Sequence, residues 1–343
     1  MQDRSLRTSA TDPLTGEARR TYAQRMLSKW NPNRRTLLGA AGAGVAAAAM
    51  TLGRGPIAGA APTGSSEGPI TQSCSERYVG YRAADQAKPY AKYFTPHTDP
   101  APQVVRTAFA GPPLPPASIP DFGRLTRDLG PSGYSPIEVG YGQRADGVLF
   151  VACRTEMPRV TAAMWDWWFG WHSIESARYK LWHPDAHEYA ALRENRTTSP
   201  IPDKAKYIGN TSYVDELVGP KLQQLGIDFR DPVANGFTVP ADQTIIYGRV
   251  GSSIAPVDLG WLAHQVRPIP GGAEMRSRFY LNIRGLHVPD LPQAACAVAR
   301  GASVDPSDLF LGIDLARNLL MHCGQEMNHL AQFLPEIYRE FRV

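Results

Sequence analysis

The sequence predicts an α+β protein: a curved antiparallel sheet around one long C-terminal helix. Three observations carry that expectation. In "LARNLLMHCGQEMNHLAQFL", residues 315–334, Leu315, Leu319, Leu330 and Phe333 recur with the spacing of one helix face. Between residues 146 and 283, several segments read as strands separated by turn-forming residues. Finally, the apolar face of the last helix also carries His322, Glu326 and His329. Burying such groups is costly unless they are paired or hold a metal, and a cavity between sheet and helix would give them a place.

In chain order, residues 1–60 come first, with nine Lys/Arg against three acids. "NPNRRTLLGAAGAGVAAAAMTLG" sets Arg34 and Arg35 ahead of a weakly apolar run, and "IAGAAP" follows with small residues at Ala58 and Ala60. This is the pattern of a twin-arginine signal peptide, cleaved near Ala60 or Ala61. Residues 36–52 are too short and too rich in Ala and Gly to span a bilayer well. The expectation is export to the periplasm, cell envelope or medium, with no stable membrane anchor after cleavage. Beyond residue 60 there are 27 basic and 29 acidic residues, a net of −2, which offers no electrostatic footprint for nucleic acid.

Residues 61–76 are Gly/Ser/Thr/Pro-rich and read as a flexible linker. Residues 77–145, with short aromatic segments and the cluster "GPPLPPASIPDFG", read as an N-terminal extension or subdomain with little regular structure. Residues 146–343 form the main domain. There "GVLFVACRTEM" reads as a strand, and "TAAMWDWWFGWHS" as a helix with Thr161 as its cap and Trp165, Trp168, Phe169 and His172 on one stripe. "ARYKLW", "AKYIGNTSYVDELVG", "QTIIYGRVG", "GWLAHQVRPI" and "EMRSRFYLNI" read as further strands. Cys74, Cys153, Cys296 and Cys323 show no C-x-x-C spacing, and no pairing can be read from them. Cys323 is rotated about 100° from His322 and should pack rather than ligate.

Three arrangements could make the polar helix face tolerable. One is a core His–Glu pair. A second is a single metal held by His322 and Glu326, which are four residues apart, with ligands from elsewhere. A third, a carboxylate-bridged di-iron bundle suggested by Glu326-Met-Asn-His329, fails because the chain holds no second Glu-x-x-His. Candidates for the remaining ligands are His172, His183, His187, Glu188, Asp215, Glu216, His264 and His287. His172 fits a packed, backbone-bonded histidine better. Asp215 and Glu216 are strand neighbours, so one of them alone can point inward. The residues by themselves do not choose between His183 and His187.

"MWDWWFGWHSIESARYKLWHPDAHEYA", "KYIGNTSYVDELVG", "EMRSRFYL" and "LLMHCGQEMNHLAQFLPEIY" together resemble the diacetylphloroglucinol hydrolase family, relatives of phloretin hydrolase, over roughly residues 77–343. The resemblance implies a Bet v 1/START-like helix-grip cavity and one divalent metal, zinc first, with iron or manganese as alternatives. It implies His187, Glu216, His322 and Glu326 as metal ligands, with Glu326 also catalytic. Tyr179, and less closely Tyr280, would orient a phenolic substrate. The resemblance gives His329 no role; its place on the same helix face leads us to expect that it supports Glu326 from behind. Ala190 and Ala191 stand where the resemblance implies an amide side chain, so the substrate can differ from the family's own.

The expected activity is hydrolysis of the carbon–carbon bond between an acyl group and a phenolic ring. The partner is then a small aromatic ketone or acylphenol, and a homodimer stays open. The alternative is a non-catalytic carrier of hydrophobic or aromatic ligands, whose cavity should be mostly apolar.

Overall fold

The computed structural model describes Cys74, residues 76–303 and residues 311–342. The expected export signal, residues 1–60, lies outside the described residues. Those described fall within one compact unit. Among them, no helix is long and apolar enough to cross a membrane.

The elements run α1 (Gln103–Ala110), α2 (Leu125–Asp128), β1 (Gly140–Gln143), β2 (Leu149–Pro158), α3 (Ala162–Trp171), α4 (Ser176–Lys180), β3 (His187–Leu192), α5 (Asp203–Tyr207) and β4 (Thr211–Val218). They continue with β5 (Lys221–Arg230), β6 (Thr244–Ser252), β7 (Asp258–Ile269), β8 (Gly272–Leu281), α6 (Leu291–Ala299), α7 (Ile313–Ala331) and α8 (Leu334–Phe341). The strands make one antiparallel sheet in the order β1-β2-β8-β7-β6-β5-β4-β3. Helix α7 packs against β1 and β2 near one edge and against β4 near the other. One straight helix can touch both only if the sheet curves around it. The α+β class, the curved sheet and the long C-terminal helix are therefore all present.

The sheet is buried on both faces. On the helix side, α7 contributes Leu315, Leu320, Met327 and Leu330 to the main core, with Trp165 and Trp168 of α3. On the other side, Ile119, Leu125 and Leu129 cover Phe150, Ile245, Ala263 and Tyr280. Helix α1 closes over α7 at Gly324, where an added Cβ would come within 2.7 Å of Val105. That close approach calls for glycine.

Several expectations need correction. "ARYKLW" is not a strand: residues 176–180 form the short helix α4. Its alternation is too brief to separate the two periods. "AKYIGNTSYVDELVG" divides into α5 and β4. Thr161 occupies the N-cap of α3, but its side chain makes no capping hydrogen bond. The final helix stops at Ala331, and α8 restarts with Pro335 in its first turn, a position that suits proline. The segment 77–145 is more regular than expected, supplying α1, α2 and edge strand β1, which pairs with β2. The expected linker ends in a covalent anchor, because Cys74 is disulfide-bonded to Cys296 of α6.

Candidate active site

Of the six expected site residues, His187, His322 and Glu326 converge between the sheet and α7, and Glu216 stands at the edge of that group, 3.8 Å from His187. His187 opens β3 and Glu216 lies on β4, and the two are paired in register. Cross-strand partners project from the same face. The register shifts between His187 and Tyr189, and such a bulge re-aims a side chain at the end of a strand. Helix α7 brings His322 and Glu326 from the opposite side, one turn apart.

His187 Nε2 lies 3.5 Å from Glu326 Oε2 and 3.8 Å from Glu216 Oε2, and His322 Nε2 lies 3.7 Å from Glu326 Oε2. Ligand atoms of His187, His322 and Glu326 all fall within 4.8 Å of one another. Each imidazole is fixed from behind by a backbone carbonyl. His187 Nδ1 lies 2.9 Å from the Tyr179 carbonyl oxygen and His322 Nδ1 lies 3.1 Å from that of Leu217. Nδ1 must then carry the proton, which leaves both Nε2 lone pairs aimed at the carboxylates. His187 Nε2 is buried and has no hydrogen-bond partner. An orphaned acceptor facing carboxylate oxygens is an unfavourable arrangement on its own. Two neutral imidazoles and two carboxylates are the donor set of a divalent cation, so the residues fit one.

The electrostatics agree. Burial, reinforced by His322 and His183, holds His187 well below the usual imidazole range, and burial lowers His322 as well. Both rings stay neutral, as a ligand must. Burial, then the charge of Glu216, pushes Glu326 well above the usual carboxylate range. A cation between them would reverse that cost.

Tyr179 joins the site from α4. Its hydroxyl donates to Glu216 Oε2, and its ring stacks on His187 with centroids 3.7 Å apart and planes 3° apart. Tyr280 does not join. It belongs to the core on the other face of the sheet, where it packs against Phe122 and Phe150. Successive residues of a strand face opposite ways, and Phe279 is the one that lines the cavity.

The remaining candidates divide clearly. His183 lies outside the cluster, stacked on His322 at 4.7 Å with Nδ1 2.8 Å from Thr98 Oγ1. Asp215 points away from Glu216 and forms a bidentate pair with Arg300 at 2.7 and 3.0 Å. Glu188 pairs with Arg77, and His287 lies 3.9 Å from Asp258. His172 is packed as expected, 2.7 Å from the Trp168 carbonyl. His329 does not support Glu326; it bonds Asp99 and Thr95, tying down the N-terminal segment. Cys323 is buried and unbridged, outside the cluster.

The cavity beside the cluster, about 70 Å³, brings in residues that were not singled out as site residues, among them Ser212, Trp182 and Phe169. His264, one of the ligand candidates, also lines it, with Nδ1 bonded to Ser277 at 2.8 Å. The signal for Ser212 was available: Ser212, Val214 and Glu216 alternate along β4, so an inward Glu216 makes the other two inward.

Comparison with known proteins gives the class and then the family. A 2,4-diacetylphloroglucinol hydrolase of Pseudomonas protegens is 32% identical over 276 residues, covering 77% of this chain and 88% of its own. A second from Pseudomonas sp. is also 32% identical, over 77% of this chain and 92% of its own. A phloretin hydrolase of Eubacterium ramulus is 29% identical over 273 residues, 76% of this chain and 93% of its own. The present chain is a hydrolase. Residues 119–339 match the family model described as the DAPG hydrolase PhiG domain, and the chain belongs to the diacetylphloroglucinol hydrolase family.

Proposed function

We propose that the protein hydrolyses the carbon–carbon bond between an acyl group and a phenolic ring, at a metal centre formed by His187, Glu216, His322 and Glu326. The observation that carries this is the convergence of two backbone-fixed Nε2 atoms and two carboxylates beside an aromatic-lined cavity. A carrier of apolar ligands would have no use for such a group. We read the architecture as a Bet v 1/START-like helix-grip, supported by the way β2 and β4 of one sheet hold α7.

A divalent ion there, zinc first and iron or manganese as alternatives, would supply Lewis acidity toward a ketone oxygen or water. The chain's own groups do the rest. Water adds to the carbonyl carbon, the bond to the ring carbon breaks, and that carbon keeps the electron pair and takes a proton. The products are a carboxylic acid and the deacylated phenol. Glu326 or Glu216, once its coordination to the ion loosens, would take the proton from water and return it to the ring carbon. Tyr179, whose hydroxyl is held protonated by burial and by Glu216, would turn its single O–H from Glu216 to a phenolic oxygen when substrate binds. Packed aromatic walls exclude bulk water, so the ring stays in register with these groups.

Export remains part of the proposal. The disulfide between Cys74 and Cys296 suits an oxidising compartment, which agrees with a twin-arginine leader over 1–60. To test the activity, purified protein would be incubated with acylphloroglucinols while the released carboxylic acid is quantified. Stoichiometric acid and deacylated phenol are expected. Ligand binding without any acid release would favour the carrier instead.

A further inference from the structure

A second cavity of about 70 Å³ adjoins the first, and its walls are of a different kind. Val218, Leu225, Val250, Leu259, Leu281 and Leu315 line it, from strands β4 to β8 and helix α7. Among the described residues its polar side chains are Glu216 and Gln223, and the Gln223 amide donates to the Leu222 carbonyl. The two cavities share Glu216, Ile227, Leu262, Phe279 and Leu319. The carboxylate assigned to the metal centre is thus a wall of both chambers.

That placement has a chemical consequence. An aryl ketone is a ring and an acyl chain joined through one carbonyl, and the bond to be broken is the one between them. With the carbonyl beside Glu216, ring and chain must occupy different chambers. The first holds groups that can bond phenolic hydroxyls: Tyr179, Ser212 and His264. The second would bury those hydroxyls without partners, which is unfavourable, while it suits methylene groups.

The geometry points to the second chamber as an acyl-chain pocket, so that the preferred substrates are phenols with a linear apolar acyl chain longer than acetyl. This inference rests on the acylphenol hydrolase reading and names its substrate class.

The test is a chain-length series of monoacylated phloroglucinols, from acetyl through butanoyl and hexanoyl to dodecanoyl, with kcat/KM measured on the purified wild-type protein. Hexanoyl should exceed acetyl by tenfold or more, and dodecanoyl should fall below hexanoyl. Val250→Phe, and independently Leu225→Phe on the neighbouring strand, should collapse the hexanoyl-to-acetyl ratio toward one, with circular dichroism confirming the fold. A flat series on the wild-type protein overturns the acyl pocket and leaves the hydrolase reading standing. A wild-type protein that cleaves no member overturns that reading, and the pocket with it.

Discussion

Tyr179→Phe isolates a single hydroxyl. The phenyl ring that stacks on His187 is retained, as is the Tyr179 backbone carbonyl that fixes His187 Nδ1. What disappears is the donor to Glu216 Oε2 and, in the complex, the donor to a phenolic oxygen. A hydrogen bond to a charged partner contributes about 1.5–3 kcal/mol, which corresponds to roughly 10- to 150-fold in rate. The expected result is therefore a fall in kcat/KM of tenfold or more on the best acylphenol. Bound metal, measured by elemental analysis, should be unchanged, because all four proposed ligands remain. Equal kcat/KM for the variant and the wild-type protein would refute the role given to this hydroxyl.

Other outcomes follow from the same structure. Replacing Arg34 and Arg35 by lysine should hold the protein in the cytoplasm, and unchanged secretion of the double variant would remove the twin-arginine assignment. Reducing the Cys74–Cys296 bridge, which spans 222 residues, releases chain entropy worth up to about 5 kcal/mol in the unfolded state. Thermal scans with and without reductant should then differ by several degrees, and coincident scans would contradict it. Lys180 is buried without a hydrogen-bond partner for Nζ, and burial lowers its pKa from 10.5 to about 7. Between those values the unfolded chain holds a proton that the folded chain does not, so this group makes stability rise with pH across that window. Lys180→Met should flatten the rise in Tm from pH 7 to 10; an identical slope in the variant would show that Lys180 is not its source.

Much of this arrangement is legible in the sequence because α7 breaks a local rule. Its apolar face carries His322 and Glu326, and local inconsistency of that kind marks a functional site. The inward choice of Glu216 over Asp215 follows from alternation, but which parity faces the cavity depends on Arg300, 85 residues away, which takes Asp215 on the other side. The same parity question decides Tyr280 against Phe279. There the alternation along β8 carries the answer, since Glu274, Arg276 and Arg278 share the parity of Tyr280 while Ala273, Met275 and Leu281 share that of Phe279. Choosing His187 over His183 depends on a bulge and on the Tyr179 carbonyl, features set by tertiary folding. The role of His329 went astray because its partners, Thr95 and Asp99, come from a segment more than 200 residues earlier. Strand β5 was missed because "KLQQLGIDFR" carries few β-branched residues; it is held in the sheet by β4 and β6 on either side.

The most direct measurement is the metal content of the wild-type protein beside His322→Ala and Glu326→Ala, purified mildly with zinc, iron and manganese supplied. The expected result is one equivalent of a divalent ion in the wild-type protein. Each variant should lose both that ion and hydrolysis of acylphenols while keeping its circular dichroism spectrum. A wild-type protein with no stoichiometric metal, or variants that retain both metal and activity, would contradict a catalytic metal at His187, Glu216, His322 and Glu326.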